Sequence, residues 1–200
     1  MPTWAWVVIA VGAVVLAALL AVAFLMRRRT GRLRTRFGPE YDRTVQRRGR
    51  RGAEAELDSR LERREQLDIR PLSAAAREHY RESWTRVQAE FVDDPAAAVD
   101  GADQLVRSTM SERGYPMDDF EQRAADISVD HPQVVERYRS AHGIAQKNED
   151  GKATTEDLRQ AMKHYGALFD ELLEQAEDET LARDSTERTP AVTEERTVRR

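Results

Sequence analysis

One long apolar run stands at the start of the chain, and the rest of the sequence is strongly polar. No residue from Trp4 to Met26 is charged, and three consecutive arginines follow directly at 27–29. A helix of about 20 apolar residues is long enough to cross the hydrocarbon core of a bilayer. The pattern therefore predicts a transmembrane signal-anchor over residues 1–26.

The charges around this run predict its direction in the membrane. Every basic residue lies on its C-terminal side, and flanks rich in Lys and Arg stay on the cytoplasmic side. We therefore expect a single-pass protein of the inner (plasma) membrane, with its N-terminus outside and residues 27–200 in the cytoplasm. A cleaved signal peptide, and hence an exported helical protein, is the alternative, because Ala21-Val22-Ala23 resembles a cleavage site. Met1–Thr3 lacks the basic start of a signal peptide, which favours the anchor.

Residues 27–70 are rich in arginine and carboxylates and poor in apolar side chains. The first part, Arg27–Arg36, predicts a basic juxtamembrane collar that attracts anionic lipid headgroups. From Glu40 to Gln66, the few apolar positions predict a charged helical stalk that is either exposed or needs a partner. Gly49 and Gly52 are expected to interrupt it, because glycine weakens a helix interior.

Residues 71–175 carry the clearest helical pattern. Apolar positions recur at intervals of three and four, as on one face of an α-helix, while Asp94-Pro95 and Gly114 mark a helix start and stop. Without any long alternation typical of strands, the sequence predicts an all-α fold with a four- to five-helix soluble bundle. Seven aromatic side chains are expected in its core: Tyr80, Trp84, Phe91, Phe120, Tyr138, Tyr165 and Phe169. Residues 176–200 have little to bury and predict a disordered charged tail.

Composition narrows the classes of function. The formal net charge of −4 combines a net charge of +7 over residues 27–70 with one of −11 over residues 71–200. The chain contains no cysteine, which excludes disulfides and metal sites built from thiolates. The arginine-rich segment Arg43–Arg51 lacks a recognised DNA-binding pattern and is followed by interleaved acids, which disfavours a nucleic-acid partner.

The motifs of catalysis and cofactor binding are missing from the sequence. It has no Gly-x-Ser-x-Gly element, no glycine-rich phosphate loop and no pair of histidines at metal-ligand spacing. The segment Gln146–Asp157, with Gly151 sixth, has the length of a calcium loop, but its first and last positions hold Gln and Asp where Asp and Glu are usual. A turn between two helices is therefore favoured there. His142 and His164 would face each other across those helices, with core packing as the expected role of each. We assign no catalytic, cofactor-binding or metal-ligating residue.

Six blocks of sequence are distinctive when taken together. They are RFGPEYDRTV (36–45), DIRPLS (68–73), FVDDP (91–95), RGYP (113–116), DFEQRAADISVDHP (119–132) and TEDLRQAM (155–162). They resemble a family of uncharacterised bacterial proteins, frequent in actinobacteria, over about residues 33–175. The resemblance implies that the collar belongs with the helical body. It implies no activity and no site residue.

The expected function is that of a non-enzymatic, membrane-tethered adaptor that presents its helical domain to an unknown protein partner in the cytoplasm. The alternative is a membrane-bound small-ligand sensor or enzyme with a pocket between the bundle helices, near His142 and His164. Homo-oligomerisation through the stalk or the apolar run is a further expectation. Ala13, Ala17 and Ala21 repeat every four residues and would let two helices approach closely, although an alanine-rich helix facing lipid is the simpler interpretation.

Overall fold

The computed structural model describes residues 3–187, and it describes side chains at positions 12, 14–21 and 23–174. Residues 3–187 form seven helices and no strand, which confirms the all-α prediction. The helices are α1 Thr3–Phe37, α2 Pro39–Glu65, α3 Ala74–Glu90, α4 Pro95–Arg113, α5 Phe120–Asp130, α6 Val135–Glu149 and α7 Thr155–Glu187.

Helices α3 to α7 share one apolar core, in which α7 packs against α3, α4 and α6. Trp84 on α3 stacks on Phe169 of α7, with ring centroids 4.9 Å apart. A Cβ atom at Gly166 would lie only 3.0 Å from the Trp84 ring, so the glycine lets the indole lie flat against α7. The core is therefore closed by an aromatic stack where α3 meets α7.

The aromatic side chains expected in the core all contact it. Five are buried, namely Tyr80, Trp84, Tyr138, Tyr165 and Phe169, while Phe91 and Phe120 are partly buried and pack against the same cluster. Their predicted role in core packing is confirmed.

Helix α4 begins and ends where the sequence places its signals. The Asp94 side chain accepts a hydrogen bond from the backbone N–H of Ala97, 3.0 Å away, as an N-cap does. Gly114 follows the helix with a φ of 96°, and a Cβ atom there would lie 2.4 Å from the Asp68 carbonyl oxygen. Only glycine allows the chain segment at Asp68 to pass so close to the end of α4.

A second, smaller apolar cluster joins the first two helices to the bundle. Its buried side chains are Leu33 and Phe37 from α1, Tyr41 and Leu57 from α2, and Val129 from α5. The C-terminal third of α1 therefore packs against α2 and α5, and α2 packs on α5. The sequence predicted that α2 is either exposed or packed on a partner, and the structure shows it packed on α1 and α5.

The predicted transmembrane anchor is wrong. Among the described residues, no helix combines the length and the apolar character that crossing a membrane requires, which also contradicts the predicted single-pass topology and inner-membrane location. Helix α1 continues without a break through the arginines until Leu33 and Phe37 are buried.

Two further boundaries differ in detail from the sequence pattern. The backbone of α2 is interrupted at Gly49, with a φ of 68°, while Gly52 remains inside the helix. Helix α7 extends to Glu187, well past position 175. Residues 188–200 of the predicted tail lie outside the described residues.

Candidate functional site

A buried carboxylate with two arginines lies where α2 meets the bundle. Arg139 of α6 binds Glu40 through both terminal guanidinium nitrogens, at 2.6 and 2.8 Å. Arg60 of α2 binds it at 2.8 Å and also donates to the Ser128 hydroxyl at 3.0 Å. The side chains of Glu40, Arg60 and Arg139 are only 2%, 9% and 7% exposed. Burial alone would raise the pKa of Glu40, but the two arginines outweigh it and lower the pKa, so the group is an ionised triad.

Two more ion pairs extend this contact along α2. Arg63 donates to Asp126 at 3.0 Å, and Arg64 pairs with Asp130. Asp130 also accepts a hydrogen bond from the Tyr115 hydroxyl at 2.8 Å. We call this set, together with the Glu40 triad, the ionic seam. The pairs Arg139–Glu40, Arg63–Asp126 and Arg64–Asp130 join α2 to α6 or α5, so the ionic seam fixes α2 to the bundle.

His131 is buried beside the ionic seam, at the C-terminal end of α5, with 1% of its surface exposed. Among the described residues, neither ring nitrogen has a hydrogen-bond partner, although Nδ1 lies 3.4 Å from Glu171. Burial and the charges of Arg113 and Arg64 lower the pKa of His131 to about 4, with Asp130 acting in the opposite direction. The ring is therefore neutral at pH 7, and its contact with Glu171 is not an ion pair.

Acidification from pH 6.5 to 4 is expected to destabilise the protein through His131. In this range the unfolded ring, with a pKa near 6.5, binds a proton that the folded ring does not, so the free energy of unfolding falls as the pH falls. Lowering the pKa to about 4 corresponds to roughly 3 kcal/mol of stability that is present above pH 6.5. Urea unfolding across this range measures the effect.

The matched variants are His131→Phe, which removes the buried titrating ring, and His79→Phe at an exposed position. We expect His131→Phe to flatten the profile between pH 6.5 and 4, and His79→Phe to leave it unchanged. An unchanged slope in His131→Phe would show that other groups cause the loss of stability.

The two histidines expected to face each other have separate local partners. The His142 ring stacks on Phe120 with centroids 3.7 Å apart, while Nε2 of His164 lies 3.0 Å from the Gln160 side-chain nitrogen. Burial lowers the pKa of both rings. Within residues whose side chains are described, no group of three or more His, Asp and Glu side chains has the arrangement of a metal site.

The segment that resembles a calcium loop is a turn followed by a capped helix. Gly151 adopts a φ of 67°, and Asp150 pairs with Lys152 at 2.8 Å. The Asp157 carboxylate accepts hydrogen bonds from the N–H and the hydroxyl of Thr154, at 2.9 and 2.7 Å. Because Asp157 serves as part of this cap, the structure agrees with the favoured interpretation of a turn between helices.

Carboxylates pair with most arginines of the Arg43–Arg51 segment in α2. Four of its arginines pair with glutamates, in the pairs Arg43–Glu136, Arg47–Glu121, Arg48–Glu56 and Arg50–Glu54. The positive charge of this run is therefore largely neutralised by carboxylates of the same chain.

The largest group of exposed apolar side chains among the described residues lies on α1. Eight large apolar side chains between positions 14 and 26 are 53–69% exposed: Val14, Val15, Leu16, Leu19, Leu20, Phe24, Leu25 and Met26. We call residues 14–26 the apolar arm. The next turn of the same helix is anchored, since Thr30 donates to Glu54 at 2.7 Å and Leu33 is buried. The apolar arm is thus a continuous helical extension of a rooted helix.

Comparison with protein-family models, with curated proteins and with solved structures gives no match to this chain.

Proposed function

We propose that this chain is a non-enzymatic helical interaction protein that associates with a second copy of itself through the apolar arm. The observation that carries the proposal is the set of eight large apolar side chains, 53–69% exposed, on one helix. Monomeric proteins rarely expose so much contiguous apolar surface. The resemblance to a bacterial family remains a prediction and contributes no evidence to this proposal.

The attachment of the apolar arm to the bundle supports a structural role for self-association. Helix α1 passes without a break from the arm into the apolar cluster at Leu33 and Phe37, and the ionic seam fixes α2 to α5 and α6. Two copies that associate through their apolar arms would therefore hold their two bundles in a defined relative orientation. We infer that the chain serves as a scaffold of this kind.

The size of the exposed surface predicts a reversible complex. Full burial of one large apolar side chain contributes about 2 kcal/mol. Covering half of the eight side chains' exposed surface on each of two copies would then contribute about 10 kcal/mol. Association itself costs roughly 4–15 kcal/mol. Because the two quantities are similar, we expect a dimer that dissociates on dilution.

Charge at the base of the arm favours an antiparallel arrangement. Arg27, Arg28 and Arg29 follow the arm directly. Arg29 pairs with Asp58, but parallel packing would still bring together the guanidinium groups of Arg27 and Arg28 from both copies. In an antiparallel pair, the two clusters lie at opposite ends of the arm, separated by about 18 Å along the helix axis. That distance exceeds the Debye length of about 8 Å at physiological ionic strength.

Sedimentation analysis over a range of concentrations tests the proposed function. The parent chain is expected to change from monomer to dimer as its concentration rises. Leu16→Glu with Leu20→Glu, one turn apart on the arm, should weaken the dimer by at least about 100-fold, because a buried unpaired carboxylate is strongly unfavourable. At concentrations at which the parent chain is monomeric, the melting temperature should not change, since both side chains are about 60% exposed and make no core contact. Where the parent chain dimerises, it should melt at a higher temperature than the variant.

Val92→Glu is the matched control, because Val92 is an exposed apolar residue outside the arm, at 83%. It should dimerise like the parent chain. The proposal would be overturned if the parent chain stayed monomeric at every concentration. It would also be overturned if the double variant dimerised as well as the parent chain.

A further inference from the structure

Helix α1 carries positive charge that the described part of the chain does not neutralise. Arg27, Arg28 and Arg32 are exposed, and none of them forms an ion pair with any residue whose side chain the structure describes. The other arginines of the helix have carboxylate partners, in the pairs Arg29–Asp58, Arg34–Asp42 and Arg36–Asp130. The unpaired charge therefore lies in one place, directly after the apolar arm.

Two of these arginines lie on the side of α1 that faces away from the bundle. Leu33 and Phe37 mark the opposite side, because both are buried. Arg28 precedes Leu33 by five positions, and a step of five residues turns by about 140° around the helix axis. Arg32 precedes Phe37 by the same step. Phe24, Arg28 and Arg32 are spaced four residues apart and share this outward side, and we call them the outer row.

The outer row joins positive charge to apolar surface. The guanidinium carbon of Arg28 lies 4.8 Å from the centroid of the Phe24 ring, and the Phe24 side chain is 55% exposed. A partner that contacts this row must therefore offer anionic groups and an apolar region side by side. The self-association proposed above would cover about half of the arm's exposed apolar surface, and the other half would stay open to such a partner.

The surface of an anionic lipid bilayer has both properties. Its headgroups attract arginine side chains, and the boundary between headgroups and acyl chains accepts apolar side chains from a helix that lies along the surface. An acidic polypeptide would match the charge of the outer row but not its apolar end. The combination of charge and exposed ring therefore favours lipid.

We propose that the outer row binds the surface of an anionic phospholipid bilayer. Arg28 and Arg32 lie at the headgroup phosphates, and Phe24 lies at the boundary with the acyl chains. Contact of this kind does not require a helix that crosses the bilayer. Each unpaired arginine near the surface strengthens binding by about fivefold.

Flotation of the full-length protein with lipid vesicles tests this proposal. Vesicles of equal parts phosphatidylcholine and phosphatidylglycerol should bind the parent chain, and high salt should weaken the binding because it screens the charges. Vesicles of phosphatidylcholine alone should bind much more weakly. Arg28→Gln with Arg32→Gln should weaken binding to the anionic vesicles by about 30-fold, at fivefold for each arginine.

The matched control removes the same number of charges from the bundle. Arg81→Gln with Arg159→Gln changes arginines that pair with Glu78 and Glu156, and this variant should bind vesicles like the parent chain. Phe24→Ala should weaken vesicle binding by about fivefold, the loss expected when half of a buried ring is removed. The same substitution should not change the affinity for poly-glutamate, which offers charge alone.

Three results would overturn the proposal. They are equal binding to vesicles with and without phosphatidylglycerol, equal loss of binding in the outer-row variant and its control, and displacement of the protein from anionic vesicles by poly-glutamate at the same concentration of negative charge. Sedimentation without lipid separates this proposal from self-association, because Arg28→Gln with Arg32→Gln should dimerise at least as well as the parent chain. A parent chain that floats with anionic vesicles but stays monomeric would contradict self-association alone.

Discussion

Replacing Glu40 with Gln is expected to lower the free energy of unfolding by about 3–5 kcal/mol. The buried guanidinium groups of Arg60 and Arg139 would then keep only the more exposed carboxylates of Glu56 and Glu136 as anions. The side chains of Arg60 and Arg139 are less than a tenth exposed, so water cannot replace the lost charge. The loss should be seen in urea unfolding at pH 7 and at a protein concentration low enough to keep the chain monomeric.

The control is Glu136→Gln, which removes a carboxylate that pairs with Arg43 and Arg139 but is 62% exposed. Exposed pairs contribute about 0–1 kcal/mol, so this variant should be nearly as stable as the parent chain. Replacing Glu40, Arg60 and Arg139 together by Met should recover much of the stability, because the unpaired charges are gone. Equal effects of Glu40→Gln and Glu136→Gln would show that the triad is not a buried unit.

The second large effect is expected from Phe37→Ala, at about 3–5 kcal/mol. The Phe37 ring has no exposed surface and packs with Leu33, Tyr41, Leu57 and Val129, so its removal leaves a cavity where three helices meet. Helix α1 should lose its attachment as well. Amide hydrogen exchange in α1 and α2 is therefore expected to accelerate more than exchange in α7.

The same substitution in the apolar arm provides the control. Phe24 is 55% exposed, so Phe24→Ala should change the free energy of unfolding by no more than about 0.5 kcal/mol. If Phe37→Ala were as mild as Phe24→Ala, the second apolar cluster would not stabilise the fold.

The helices of the bundle were predictable because their signals are local. Apolar side chains at intervals of three and four define each buried face, and Asp94 and Gly114 act on backbone groups only a few residues away. The position of α2 was not predictable in this way. Its few apolar residues, such as Leu57, are buried only because α1 and α5 supply the rest of the cluster.

The candidate sites could be predicted less well than the fold. Arg60 lies 20 residues from Glu40, and Arg139 lies 99 residues from it, so sequence spacing gives no sign that they meet. The hydrogen bond from the Tyr80 hydroxyl on α3 to Glu112 on α4 likewise joins residues far apart in the sequence. The apolar run is evident in the sequence, but the run alone does not show that α1 continues until Phe37 is buried.

The most direct test of self-association uses the absence of cysteine from the chain, since each introduced thiol is then unique. Val14→Cys and Met26→Cys stand at the two ends of the apolar arm. In an antiparallel pair, a mixture of the two variants should form a disulfide-linked heterodimer far faster than either variant links to itself, and Val92→Cys should remain unlinked. Cross-linking of Val14→Cys to itself would contradict the antiparallel arrangement, and a mixture that links no faster than Val92→Cys would contradict association through the arm.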